Sequence, residues 1–346
     1  FRSHYAYDNV LFVVAGELLG AVAGERWDDF IPQQIFRPLG MTESRTSITD
    51  YKPGDNVALP YHHSHGRMVR VSYDTVDNTA PAGGIVSSVS DLSHWIRAQL
   101  DSGRVGDSRL WDARATREMW APTTIIQVGS GAPELRHLRP NFRAYGLGWF
   151  LDDYRGHKIV HHSGGLAGMI SQTYLVPDIK LGVVVLTNGE SSAATAIADR
   201  IVDYYLGAPE FDYVTAIRTI NARADSEANA SVSKAQTSRA ASVGPSLPLQ
   251  KYAGKYTDRW MGGATIDQQN GKLVFQFSSA TAYTGELEHW QYDTFVAHWK
   301  NTELPDAFVT FALKPDGSID HFTMLPVDPQ TDFSYDYQDL YFVPAQ

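Results

Sequence analysis

The chain is expected to have an α/β (α+β) fold, with helices on an antiparallel sheet, followed by a separate small β-barrel domain. Three observations predict it. Residues 159–188 contain three strand-like apolar runs, separated by His162-Ser163-Gly164-Gly165 and by the turn pair Pro177-Asp178, and closed by Asn188-Gly189. From residue 248 onward, aromatic and apolar residues such as Tyr252, Tyr256, Phe275, Phe277, Trp299, Phe311 and Phe322 alternate with polar ones, and Asn270-Gly271 and Asp316-Gly317 mark hairpins. Between these regions, residues 211–246 turn to alanine, serine and charged residues, the composition of a linker with helix in its first half. The resulting boundaries are 1–207, 208–247 and 248–346.

The first half is read in order. Val10, Val13, Val14, Leu18, Leu19 and Val22 recur at helical spacing up to Gly24, which predicts a helix with a buried face over residues 8–24. Asp8 or Asn9 is placed to cap it, and Tyr7 stands at its entrance. A second amphipathic helix runs from Trp27 to Phe36, stopped by Pro38 and Gly40. Residues 46–77 are polar and irregular. Pro81 to Ile96 reads as a glycine-bearing turn or strand entering a helix that Ser90 or Asp91 caps. Residues 145–150 form another strand-like run, and 192–206 a helix ending at Gly207 that packs on the sheet.

Composition narrows the function. The chain has 346 residues, of which 43% are hydrophobic, enough for two buried cores. A net charge of −10 with no Lys/Arg cluster argues against nucleic acid or an anionic membrane and for a small-molecule or short-peptide substrate. With no cysteine, thiol catalysis, disulfides and thiolate metal sites fall away. Oligomeric state is not encoded in any pattern found. No run reaches membrane-spanning length, and the start, Phe1-Arg2-Ser3-His4, is neither a signal peptide nor a methionine start. The chain therefore reads as a fragment or processed product. A periplasmic or secreted location would follow if a signal peptide lay upstream.

Two motifs are set aside. His62, His63 and His65 invite a metal reading, but neighbouring loop residues seldom aim at one ion and no acidic ligand stands at a fitting spacing, so no metal is assigned. Gly83-Gly84 lacks the lysine of a phosphate-binding loop, and no nucleotide or other cofactor is assigned.

The chemistry concentrates at residues 162–165. Gly164 and Gly165 remove side chains where another molecule could approach, leaving backbone N–H groups able to form an oxyanion hole, and the His162 imidazole projects from the same edge. A plain hairpin edge with a buried or solvated histidine fits the same residues.

Taken together, Tyr7-Asp8-Asn9 before a helix, Pro38-Leu39-Gly40-Met41, Ala82-Gly83-Gly84 with Ser87-Ser88 and Asp91-Leu92, and His162-Ser163-Gly164-Gly165 stand in the order and rough spacing of a known family. Over residues 1–207 the chain resembles the serine β-lactamase-like hydrolases: class C β-lactamases, penicillin-binding D-alanyl-D-alanine carboxypeptidases, D-aminopeptidases and related esterases. Its tail resembles the lipocalin-like β-domain often appended to them.

The resemblance implies that Tyr7 is the general base, Asn9 the positioning amide and His162 the third-motif residue. Ser163, Gly164 and Gly165 then form the oxyanion and substrate edge, with Gly165 lending an N–H. The family's nucleophile is the serine of an S-x-x-K motif, expected well upstream of Tyr7. The one such string here, Ser231-Val-Ser-Lys234, follows all the other motifs in the alanine-serine stretch. The reading is a serine hydrolase acting through an acyl-enzyme on an ester, a D-amino-acid amide or peptide, or a β-lactam, its nucleophile segment absent from this chain. The alternative is a non-catalytic binding or regulatory remnant.

Each part answers a chemical need. A serine hydroxyl must lose its proton as it attacks, and a tyrosine with a pKa of about 10 is a useful base only beside positive charge, from the motif lysine or a protonated His162. A neutral histidine where relatives carry lysine suits esters and D-amino-acid amides better than a carboxylate-bearing β-lactam.

Overall fold

The computed structural model describes residues 4–64, 67–240, 242–332 and 335–345. The chain forms two compact units, Phe1–Ile220 and Asn221–Gln346.

The first unit is organised on six antiparallel strands: β1 (Thr124–Ile126), β2 (Arg143–Tyr145), β3 (Phe150–Tyr154), β4 (His157–Leu166), β5 (Met169–Val176) and β6 (Leu181–Thr187). Spatial order follows chain order from β1 to β6. The expected single run over 145–150 is in fact the end of β2, a tight connection and the start of β3. Gly146 donates to the Trp149 carbonyl at 2.8 Å, and a Cβ on Gly146 would lie 2.2 Å from the Met119 carbonyl oxygen. The strand bearing the His-Ser-Gly-Gly step is also not an edge strand, since β3 and β5 flank it. Its pairing with β3 stops at Phe150 opposite His161, whereas its pairing with β5 continues to Leu166 opposite Met169. Residues 162–166 are therefore edge-like on one side only.

Helix α1 covers Val10–Ala23, α2 Val89–Leu100 and α3 Ala193–Tyr205. The pleat sends Val160 and Leu175 to one face, where they pack with Ile96 and Leu100 of α2. It sends Ile159 and Val176 to the other face, with Ala194, Ala198 and Val202 of α3. Helix α2 approaches closely because residue 182 is glycine: a Cβ there would lie 2.0 Å from Ile96 Cγ2. Its cap is Ser88, whose hydroxyl accepts from the Asp91 N–H at 3.2 Å, rather than Ser90 or Asp91. Asp91 is buried and instead accepts from the Glu43 N–H at 2.9 Å and the Ser44 hydroxyl at 2.7 Å.

Helix α1 ends as expected, with Gly24 in the left-handed region at φ 75° donating to Gly20 O. The expected buried face is only partly found. Gly16 is buried against Pro81, but Leu11, Val14, Leu18 and Val22, spaced three and four apart, are 65%, 55%, 63% and 80% exposed. The second helix also differs: Trp27–Ile31 is α-helical, a π-type turn covers Pro32–Phe36, and Arg37–Leu39 completes it. Pro32 has no N–H to donate, and the wider turn absorbs the loss. Pro38 is carried inside the last turn and Gly40, at φ 72°, stops it. Within 46–77, Tyr61–Ser64 and Arg67–Arg70 pair as a short ribbon. Of the three histidines there, His65 and the His63 side chain lie outside the described residues.

Helix α4 runs over Tyr213–Ser238, so the alanine-serine stretch is helical well past its first half. Alanine is the strongest helix former, which outweighs the interspersed serines. Ser231 and Lys234 stand exposed on it.

The second unit is a closed eight-stranded barrel of β7 (Gly254–Asp258), β8 (Gly262–Gln269), β9 (Lys272–Phe277), β10 (Thr284–Gln291), β11 (Thr294–Trp299), β12 (Ala307–Leu313), β13 (Ile319–Pro326) and β14 (Tyr341–Pro344). Pairing of Tyr256 with Pro344 closes the ring. Asn270 and Gly271 take φ 51° and 80° in the hairpin turn between β8 and β9, the conformation the Asn-Gly pair predicted. Phe275, Phe295, Phe322 and Phe342 are fully buried in the barrel core.

Candidate active site

Tyr7 is delivered by the segment entering α1. The Asp8 carboxylate accepts from the Val10 N–H at 2.8 Å and caps the helix, while the Asn9 side chain makes no capping bond and is exposed. This fixes the backbone next to Tyr7 and leaves the Asn9 amide available. The Tyr7 ring stands 6.0 Å from the His162 ring. Tyr7 and His162, far apart in sequence, thus meet at the end of β4 that runs beyond β3, with Asn9 two residues from Tyr7 at the start of α1. Ser163, Gly164 and Gly165 follow along that exposed edge.

The two glycines differ in their reason. A Cβ on Gly164 would lie 2.6 Å from the Ser171 hydroxyl, a clash across the β4–β5 pair, whereas one on Gly165 would meet Ile170 Cδ1 at an ordinary 3.4 Å. A side chain at 164 would make the Ser171 hydroxyl turn away, and Gly165 leaves its edge bare. In an antiparallel strand alternate residues turn both N–H and C=O to the same side, so the stretch without β3 presents unpaired donors there.

Both nitrogens of His162 are engaged. Nδ1 lies 2.6 Å from the Ser163 carbonyl, which can only accept, so Nδ1 carries the proton. Nε2 then accepts from the Tyr145 hydroxyl at 2.9 Å. Burial pushes the His162 pKa below its ordinary value, the neighbouring His161 adds to this, and the Ser163 bond only partly opposes it. The ring is neutral near pH 7 and supplies no charge to Tyr7, so the expectation that a protonated His162 would help activate that phenol does not hold. Burial pushes Tyr7 up from its ordinary value. The phenol needs a cation from elsewhere to become a base.

Sequence reading missed the aromatic wall. Tyr5 packs 5.5 Å from Tyr145 and 5.8 Å from Phe150, and Phe150 lies 5.3 Å from His162. Burial also pushes Tyr145 far above its ordinary value, so it stays a protonated donor to Nε2. Beside it, Arg143 holds Asp152 through two bonds of 2.8 and 2.6 Å, and His161 Nε2 lies 3.1 Å from the same carboxylate. Burial raises the Asp152 pKa, but these partners outweigh it and keep it low. The ion pair and the stacking of His161 between Phe150 and Tyr174 brace the strand that carries His162. The only signal in the sequence was the aromatic and charged residues of strand-like runs, which sheet packing alone would explain.

Among the described residues no helix is long and apolar enough to cross a membrane.

The chain is similar to known proteins. The chain is 29% identical to the unguisins hydrolase ungD of Aspergillus violaceofuscus, over 91% of this chain and 60% of that protein. It is 26% identical to a D-aminopeptidase of Cereibacter sphaeroides, over 56% of this chain and 33% of that protein. The chain thus spans at most about three-fifths of the length of these curated relatives. An octameric penicillin-binding protein homologue from Pyrococcus abyssi superposes with a TM-score of 0.51 at 18% identity, over 99% of this chain and 65% of that one, a likeness of fold. Residues 238–344 match a domain of unknown function, DUF3471. Residues 1–206 match the Beta-lactamase family model, which is more than half the chain, and the protein belongs to the beta-lactamase family.

Proposed function

We propose that residues 1–207 form most of a serine hydrolase site that works through an acyl-enzyme, with Tyr7 as general base, Asn9 positioning the substrate, and the 163–165 edge stabilising the oxyanion. The observation that carries the reading is the meeting of Tyr7 and His162 rings, 6.0 Å apart, at the unpaired end of β4. The nucleophile in this proposal is the serine of an S-x-x-K pair that these 346 residues do not supply. Ser231-Lys234 is a poor candidate, being exposed on α4. The lysine of that pair would also provide the cation that Tyr7 lacks. Attack would proceed with the hydroxyl proton passing to the Tyr7 phenolate as the serine oxygen bonds to the acyl carbon. The leaving alcohol or amine then takes a proton, and water releases the acyl group.

The neutral His162, held by Ser163 and Tyr145, favours esters and D-amino-acid amides over β-lactams, and a D-aminopeptidase among the relatives supports that class. The test is a comparison of kcat/KM on a p-nitrophenyl ester, a D-alanine p-nitroanilide and nitrocefin, using a product of the same gene that includes an S-x-x-K. The ester and amide are expected to exceed nitrocefin. Faster nitrocefin hydrolysis would reverse the assignment.

Tyr145 enters the proposal as a positioning residue for His162. Its hydroxyl donates to the neutral ring, so removing it destabilises the neutral form and raises the His162 pKa. Tyr145→Phe should therefore move the acid limb of the kcat/KM profile to higher pH in that product. An unmoved limb would detach Tyr145 from the chemistry.

A further inference from the structure

A row of rings crosses four strands of the sheet in register. Tyr145 of β2 stands opposite Phe150 of β3, Phe150 opposite His161 of β4, and His161 opposite Tyr174 of β5. Directly paired residues share one face of a sheet, and the successive ring centroids lie 4.9, 5.5 and 5.1 Å apart. A polar bond ends the row on each side. At one end the Tyr145 hydroxyl donates to His162 Nε2. At the other the Tyr174 hydroxyl donates to the carboxylate of Asp199, which is buried on α3. Rings in contact inside a close-packed interior do not shift one at a time, so a change at Tyr174 is felt at Tyr145.

Asp199 is a group with two states to offer. Tyr174 faces it from β5, and Asp203 stands one turn along its own helix. Asp203 is taken up by the hydroxyls of Tyr154 from β3 at 2.5 Å and Tyr213 from α4 at 2.7 Å. Arg155 donates to the Tyr154 hydroxyl, and His137 Nε2 lies 3.1 Å from that of Tyr213. On the sheet, Asp152 and Arg143 act on Tyr174 with opposite signs. Burial pushes Asp199 up to about 7, the bond from Tyr174 opposing this and the charge of Asp203 adding to it. A hydrogen bond to an ionised carboxylate is shorter and stronger than one to the acid, so the pull on Tyr174 differs between the two states.

We propose that Asp199 is a positioning residue for His162: its hold on Tyr174 passes along His161 and Phe150 to Tyr145, so that the charge on Asp199 sets the placement of the hydroxyl that donates to His162 Nε2. For catalysis this rests on the reading of His162 as part of the hydrolase site.

The test follows the ring resonances of His161 and His162 by NMR in the full chain with labelled histidine, across the neutral pH range, each assigned by its loss in His161→Gln or His162→Gln. The His162 resonance should show, besides its own titration, an inflection where Asp199 ionises. Asp199→Asn, which keeps the size and neutrality of the acid, should abolish it. Tyr174→Phe keeps the ring against His161 and removes only the hydroxyl, and should abolish the inflection at His162 as well. An inflection missing from the unaltered chain, or persisting in both variants, would overturn the proposal. In the product that includes the S-x-x-K, kcat/KM should change roughly two- to tenfold across the same transition, and Asp199→Asn should flatten that step. A step unchanged in Asp199→Asn would also overturn the proposal. No hydrolysis at all, with the inflection present and lost in both variants, would strike the hydrolase reading and leave the coupling of Asp199 to His162 standing.

Discussion

Replacing Tyr7 by phenylalanine, in a product of this gene that includes the S-x-x-K, is expected to lower kcat by roughly two to four orders of magnitude with little change in KM. The reason lies in what surrounds the ring. Tyr7 packs against aromatic neighbours, with Phe12 6.2 Å and Tyr145 6.3 Å away, so phenylalanine preserves the packing and removes only the hydroxyl. In the proposed mechanism substrate binding along the 163–165 edge does not use that hydroxyl, whereas proton removal from the nucleophile does. A Tyr7→Phe enzyme with near-normal kcat would reduce Tyr7 to a packing role and move the base elsewhere.

The second large effect concerns stability. The barrel closes on itself and buries Phe275, Phe295, Phe322 and Phe342 completely. The first unit instead leaves the Leu11, Val14, Leu18 and Val22 stripe of α1 open. At about 25 cal/mol per Å², several hundred Å² of uncovered apolar surface is worth many kcal/mol, comparable with the net stability of a domain. Residues 248–346 alone are therefore expected to melt in one sharp transition, and Phe275→Ala to cost that piece about 3–5 kcal/mol. Residues 1–207 alone are expected to aggregate or lose near-UV circular dichroism. A sharp, reversible melt of the 1–207 piece would show that α1 needs no cover.

Much of this was legible in the residues because the signals were local. Gly24 and Gly40 stop their helices through left-handed conformations that only glycine adopts cheaply, and Asn270-Gly271 builds its turn for the same reason. The two glycines after His162 marked a stretch without side chains, though they lie inside β4 rather than after it. What escaped was set by contacts distant in sequence. Periodicity marked α1 as amphipathic but does not say whether a partner covers the stripe. Asp91 looked like a cap, yet Ser88 took that role because Ser44 and Glu43 claim the carboxylate. The β4 strand looked like an edge because its partner β3 lies before it in the chain and their pairing ends at Phe150 opposite His161, a fact of register. Tyr145 was invisible as a site residue since its bond to His162 joins two strands 17 residues apart.

We propose that this chain holds the base and the oxyanion edge of a serine hydrolase while the nucleophile comes from an S-x-x-K other than Ser231-Lys234. Intact-mass analysis after treatment with a fluorophosphonate, with p-nitrophenyl ester turnover measured in parallel, tests it most directly. The 346-residue chain should acquire no adduct and show no turnover, while the product that includes the S-x-x-K should gain one adduct on that serine. Robust turnover by the 346-residue chain, with the adduct on Ser231 and activity lost on Ser231→Ala, would contradict the account.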